Sequence, residues 1–200
     1  MKILKLALLA VTAFWLCLDR AEAKEHEIVV EGSRATIDGV PVARTIPYKD
    51  ASATIISYDV AVRVLGPPDR SGYGHNDLVL VWDSLGFTML RDGENPKDGQ
   101  LWNFAVSLRK EKGGGDMATK DQFAGSLRVN GIPITSATRL KDIVPALLEQ
   151  GFRLAKGTST PCYCLDKHHY ELVVGSGEDG LVDLFIFRSN QIIEPRKHSR

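Results

Sequence analysis

Ala35-Thr-Ile-Asp-Gly-Val-Pro-Val42 returns further along the chain as Leu127-Arg-Val-Asn-Gly-Ile-Pro-Ile134, at a constant offset of 92 that also aligns Lys49-Asp50 with Lys141-Asp142. Each copy ends in apolar, Asx, Gly, β-branched, Pro, β-branched. An Asx-Gly pair tolerates the positive φ angles of primed two-residue turns, so each stretch reads as a tight hairpin. Two hairpins of one design predict two modules. The chain divides into a leader at 1–23, a first module at 24–110, a linker at 111–122, a second module at 123–190 and a tail at 191–200.

Outward from the first hairpin, Ile56, Val60 and Val64 recur every fourth residue, with Ser57 placed to cap a helix and Gly66-Pro67-Pro68 placed to stop it. The β-branched residues weaken its propensity, so this short amphipathic helix should depend on packing against a sheet. Leu78-Val-Leu-Val-Trp-Asp83 then turns through Ser84-Leu85-Gly86 into Phe87-Thr-Met-Leu-Arg91. Trp102, Phe104, Val106 and Leu108 alternate with more polar or smaller residues, the pattern of a half-buried strand with one wet face. The segment that follows, charged and carrying Gly113-Gly114-Gly115, has no periodicity and reads as linker.

The second copy predicts a helix over about 143–150, with Asp142 as cap, Pro145 in the first turn and Gly151 as stop, followed by strands near 170–174 and 181–188. Each module is thus a β-hairpin, a short helix and an antiparallel sheet. The expected class is α+β with tandem duplicated modules, paired edge to edge or packed face to face.

The N-terminus addresses the chain. Met1-Lys2 precedes an apolar run from Ile3 to Leu18, broken only by Lys5 and Thr12 and ending at Ala21-Glu22-Ala23. That is a secretory signal with cleavage after Ala23, too short for a comfortable membrane span. Phe14-Trp15-Leu16 before Cys17 does not suit lipid attachment, so Cys17 should leave with the leader. The expected location is periplasmic or secreted, with no stable membrane span after cleavage. Removing Lys2, Lys5, Arg20, Asp19 and Glu22 from the balanced total leaves 22 basic and 23 acidic residues. Such neutrality offers no pull on nucleic acid, and the basic tail Arg196-Lys197-His198 reads as a frayed terminus.

Chemistry-bearing motifs are sparse. Cys162 and Cys164 are the only cysteines beyond the leader, and an oxidising compartment would favour a disulfide if a turn brings them close. With His168 and His169 they could be written as a zinc site, but the spacing is unfamiliar and adjacent strand residues point to opposite faces. His75, Asp83 and Ser84 form a nominal triad without the strand-borne elbow a hydrolase needs. The loops at 92–98 and 175–180 carry oxygen ligands but do not match a calcium loop, and the three glycines open no helix that would bind phosphate. No catalytic residue, metal or cofactor is expected. Trp82-Asp83-Ser84-Leu85-Gly86 is the most distinctive string outside the repeat. Trp82 shares a strand face with Leu78 and Leu80, as a core residue would, and Asp83 fits a turn acceptor. In the functional reading, Trp82 or the loop aromatic Tyr73 anchors a partner, with Asp83, Asp92, Glu94 and Asp98 adding negative charge suited to a basic one.

Val64-Leu-Gly-Pro-Pro-Asp-Arg70, followed by Leu78 to Asp83 and Leu85-Gly86, resembles a pattern in uncharacterised bacterial exported domains, in which Leu-Gly-x-Pro-Asp ends a helix and Trp-Asp-x-Leu-Gly ends a strand. The resemblance covers residues 34–109 well and 124–188 loosely, because the second copy lacks both strings. The helix, Leu-Gly-x-Pro, strand order is also similar to outer-membrane assembly lipoproteins of the SmpA/OmlA type and to tandem-repeat β-lactamase inhibitor proteins. These likenesses imply binding rather than catalysis. The leading expectation is a periplasmic immunity or inhibitor protein that binds a secreted toxin or enzyme. An envelope-assembly or small-ligand-binding module is the alternative, and a hydrolase is the least favoured.

Overall fold

The structure is a computed structural model that describes residues 25–48, 51–74, 77–91, 100–101, 103–110, 118–154, 163–167 and 170–189. The leader at 1–23, residues 111–117 of the linker, Trp102 and the tail at 191–200 lie outside the described residues. In chain order come β1 (Glu27–Glu31), β2 (Arg34–Ile37), β3 (Val40–Tyr48), β4 (Ala51–Ser57), helix α1 (Tyr58–Leu65), β5 (Arg70–Gly74), β6 (Asp77–Trp82), a 3-10 turn (Asp83–Leu85), β7 (Phe87–Arg91), β8 (Gln100–Leu101) and β9 (Asn103–Ser107). They continue with β10 (Ser126–Val129), β11 (Ile132–Ile134), helix α2 (Leu140–Glu149), β12 (Arg153–Leu154), β13 (Tyr163–Lys167), β14 (Tyr170–Ser176) and β15 (Val182–Ser189). Among the described residues the strands form a seven-stranded sheet, in the order β11-β10-β1-β2-β3-β4-β8, and an eight-stranded sheet, β12-β13-β14-β15-β9-β7-β6-β5. Among the described residues the protein is mostly β, with two short helices.

Both Asx-Gly pairs turn as their chemistry dictates. Asp38 and Gly39 have φ of 52° and 74°, and Asn130 and Gly131 have φ of 47° and 83°. The two turns also seize the same strand. Asp38 exchanges bonds with Glu27 at the start of β1, its N–H donating to the Glu27 carbonyl at 2.8 Å and its Oδ1 accepting the Glu27 N–H at 3.0 Å. At the other end the Asn130 N–H donates to the Val30 carbonyl at 2.7 Å, and Asn130 Oδ1 accepts the Gly32 N–H at 2.8 Å. Between them β1 runs antiparallel to β2 and parallel to β10, with Ile28 opposite both Ile37 and Leu127. Alternation puts Ile28, Val30, Ala35, Ile37, Leu127 and Val129 into one core.

The larger sheet faces that core with a row of aromatic rings. Trp82 meets Phe87 edge-on at 5.6 Å, Phe87 stacks on Phe104 and Phe104 on Phe187, each at 5.4 Å, and Phe187 stacks on Tyr170 at 5.6 Å. Phe152 closes the row edge-on against Tyr170 at 5.8 Å. Phe104 and Phe187 are directly opposite in the β9–β15 ladder, so this stack joins the strands contributed by the two halves of the chain.

Ser57 caps α1 with its hydroxyl toward the Val60 N–H at 3.5 Å, and Gly66, at φ +82°, ends the helix by donating to the Val62 carbonyl. Ile56 belongs to β4 instead. Helix α2 starts at Leu140, three residues before the expected start, and Pro145 lies inside the helix rather than in its first turn. Asp142 is a first-turn residue, not the cap. The early start is tertiary: the Leu140 N–H donates to the Gly180 carbonyl at 3.0 Å, and the Val182 N–H to the Thr138 carbonyl at 2.9 Å. Strand β9 is buried on both faces, because Ala105 and Ser107, on the face expected to be wet, are small residues at the centre of an eight-stranded sheet.

Candidate functional site

Trp82, at the end of β6, is 2% exposed and donates its indole N–H to the Gly66 carbonyl at 2.9 Å. That bond satisfies the ring's one polar group and ties the strand to the end of α1. Trp82 is therefore a core residue in this fold and presents no surface to a partner.

The next residue is the most concentrated charge cluster among the described residues. Asp83 is buried, and Arg70 grips it with both arms: Nε reaches Oδ2 at 2.8 Å and Nη2 reaches Oδ1 at 2.9 Å. Lys120 adds its backbone N–H to Oδ1 at 3.1 Å and its Nζ to Oδ2 at 3.2 Å. Arg70 Nη2 also donates to the Ala118 carbonyl, and the Asp121 N–H donates to the Asp83 carbonyl at 3.1 Å. The Arg70 hydrogen bonds, helped by Lys120 and opposed by burial, hold the Asp83 carboxyl well below its ordinary range. A carboxylate so depressed, with both oxygens engaged, makes a poor general acid or base and a good anchor. What it anchors is residues 118–121, the second half of the expected linker. Gly86 belongs to the same junction. Its φ is +61°, and a Cβ there would stand 2.3 Å from the Phe123 nitrogen, so only glycine lets the incoming segment pass this close.

Tyr73, in β5, is 79% exposed. Asp92, Glu94 and Asp98 lie outside the described residues, as do His75, Cys162, His168 and His169. Cys164 sits in β13, where its backbone faces Val173 of β14. The structure thus separates the expected binding set: Tyr73 on the surface, Trp82 in the core, and Asp83 committed to an internal ion pair.

Three further polar groups were not singled out from the sequence. His26 is buried beside Asp38, its Nδ1 2.9 Å from Oδ2, and its carbonyl accepts the Ser126 N–H at 3.0 Å. The pair braces the first Asx-Gly turn and the entry of β10. Arg109 reaches Asp179 at 2.8 Å and holds that carboxyl below its ordinary range, closing the loop between β14 and β15. Burial pushes the Tyr170 hydroxyl upward in pKa, with the Asn130 side chain acting the other way. Only tertiary structure brings these partners together, and no motif announces them. Among the described residues no group of three or more His, Cys, Asp or Glu could hold a metal ion, and no helix is long and apolar enough to cross a membrane.

No curated protein and no solved structure matches the chain. One family model does, over residues 27–144, from β1 through both Asx-Gly hairpins and into α2. That match covers more than half of the chain, and the protein therefore belongs to the family defined by a domain of unknown function, DUF7738.

Proposed function

We propose that this chain is an exported, non-enzymatic binding protein, of the periplasmic immunity or inhibitor kind, that recognises a secreted toxin or enzyme. The observation that carries the reading is Tyr73. It is a large aromatic side chain left 79% exposed on a sheet edge, in a protein whose other exposed large hydrophobics, among the described residues, are Leu148 and Leu154. Aromatic side chains exposed in this way are favoured anchors at protein interfaces. The cleavable leader ending at Ala23 supports export. Asp92, Glu94 and Asp98, in the sequence that follows β7, supply negative charge for steering a basic partner.

The reading includes a tandem duplication. It is supported by the two Asx-Gly hairpins and by a sheet order in which four strands of the first half, β5-β6-β7-β9, meet four of the second, β12-β13-β14-β15, at the antiparallel β9–β15 seam. Likeness to tandem-repeat inhibitor folds is part of the same proposal. The test is affinity capture from envelope and secreted fractions with the wild type and Tyr73→Ala side by side, followed by mass spectrometry. A stoichiometric secreted enzyme or toxin retained by the wild type and lost with Y73A is the expected result. Capture of assembly machinery alone, or a toxin held equally by both proteins, refutes it.

A further inference from the structure

An asparagine followed by glycine is chemically labile, because a backbone nitrogen with no side chain beside it can reach the asparagine Cγ and displace its amide. Asn76, Asn95, Asn103 and Asn190 precede Asp, Pro, Phe and Gln, whereas Asn130 precedes Gly131. In the folded protein three hydrogen bonds hold residue 130 away from that reaction. Its N–H donates to the Val30 carbonyl at 2.7 Å, its Oδ1 accepts the Gly32 N–H at 2.8 Å, and its carbonyl accepts Nε2 of Gln150 at 3.2 Å. Ring closure needs rotation about both Cα–Cβ and Cα–C, to bring Cγ onto the Gly131 nitrogen. The Gly32 bond restrains the first rotation. The Gln150 bond and the β10–β11 ladder, closed by Val129 opposite Ile132, restrain the second.

We infer that Asn130 is a covalent modification site controlled by its own turn: it closes on Gly131 when the turn opens, and the isoaspartate that follows keeps the turn from re-forming. In the first step the Gly131 nitrogen gives its proton to solvent base and bonds to Cγ, while the Cγ–Nδ2 bond breaks and the amide leaves as ammonia. Water then opens the five-membered imide. Cleavage at Cγ yields aspartate, and cleavage at the residue 130 main-chain carbonyl yields isoaspartate, whose backbone runs through Cβ and Cγ. The first hairpin shows which product the fold accepts. Asp38, at the matching place, uses a carboxylate oxygen to accept the Glu27 N–H, as Asn130 accepts that of Gly32. Aspartate at 130 therefore keeps its hold on β1. Isoaspartate adds one methylene to the main chain, so a two-residue turn no longer sets Val129 opposite Ile132, and the parallel partner of β1 loses its closure. The inference goes beyond the binding role proposed above and stands without it.

The test ages the wild type, expressed from the full sequence with its leader processing intact, in mildly alkaline buffer with and without denaturing urea. Trypsin then releases the Val129–Arg139 peptide, in which mass spectrometry reads a gain of about 1 Da and chromatography separates the aspartate and isoaspartate forms. In urea both forms should accumulate, and in buffer at least about tenfold more slowly, because reaction waits on local opening. After urea is removed, isoaspartate chains should stay out of the folded fraction on size exclusion and aspartate chains should join it. Asn130→Asp, carried through a brief exposure to urea, should refold in full. Equal rates with and without urea, an unmodified Asn130 in urea, isoaspartate chains recovered in the folded fraction, or an N130D protein that fails to refold would each overturn the inference.

Discussion

Asp83→Asn is the sharpest test of the junction between the two halves of the chain. The substitution keeps the side chain's size but replaces one of two accepting oxygens with an NH2 group, in a place where four donors converge: Nε and Nη2 of Arg70, and the N–H and Nζ of Lys120. Each hydrogen bond to a charged group is worth about 1.5–3 kcal/mol when its loss leaves a buried group unsatisfied. Relief is available, because the Arg70 side chain is 29% exposed and that of Lys120 is 73% exposed, so both cations can turn to water. The Lys120 ammonium then contributes little, and what remains is chiefly the two-armed Arg70 contact, for a net loss of about 3 kcal/mol. With a urea dependence of about 2 kcal/mol per molar, the unfolding midpoint should fall by roughly 1.5 M.

The pH dependence has a definite sign. Asp83 is depressed in the folded protein, so its contribution is complete above the unfolded carboxylate value, near about 4, and is lost as pH falls below it toward the folded value. The wild type and D83N should therefore differ most at pH 7 and converge in acid. A double-mutant cycle with Arg70→Gln should give a coupling of about 1–3 kcal/mol. A D83N midpoint unchanged at pH 7, or a gap that stays constant down to pH 3, would refute the assignment of Asp83 as the anchor of the junction.

Phe104→Ala opens the aromatic row at the β9–β15 seam and should cost about 3–5 kcal/mol, measured by urea unfolding, while Phe104→Leu keeps much of the volume and costs well under half of that. Gly86→Ala should lower the thermal midpoint far more than Gly131→Ala, although both glycines have positive φ. At Gly131 the added methyl meets open space and costs about 1–2 kcal/mol in backbone strain, whereas at Gly86 it collides with the Phe123 backbone. Equal losses from the two would show that the close passage at Gly86 is unimportant.

Local chemistry was legible in the sequence, and long-range pairing was not. The Asp38-Gly39 and Asn130-Gly131 turns, the Ser57 cap and the Gly66 stop each rest on neighbouring residues, and each appears where the sequence indicated. The start of α2 was hidden because the partner of its first N–H group, that of Leu140, is the Gly180 carbonyl, 40 positions away. Strand β9 looked half wet because alternation reports residue size and polarity, whereas its burial depends on where it lies in a sheet assembled from both halves. Trp82 was open to either reading until the Gly66 carbonyl appeared beside its indole N–H. Asp83 was visible as a distinctive residue, but nothing in the sequence joined it to Arg70, at the end of the Leu-Gly-Pro-Pro-Asp-Arg string, or to Lys120, which together determine its behaviour. Of the described members of the binding set, only Tyr73 lies exposed on the folded surface.

The strand gripped by both turns also imposes an order in time. Ile28 of β1 pairs with Ile37 almost at once, but its other neighbour, Leu127, lies 99 positions further on. At a synthesis rate of about 5–20 residues per second, that partner arrives roughly 5–20 s later. Until then β1 keeps an open side lined by Ile28 and Val30, in what will become the middle of a sheet. Completion of that sheet waits on residue 134, the end of β11, and a chain cut short before the second hairpin carries a permanent sticky edge through its own centre.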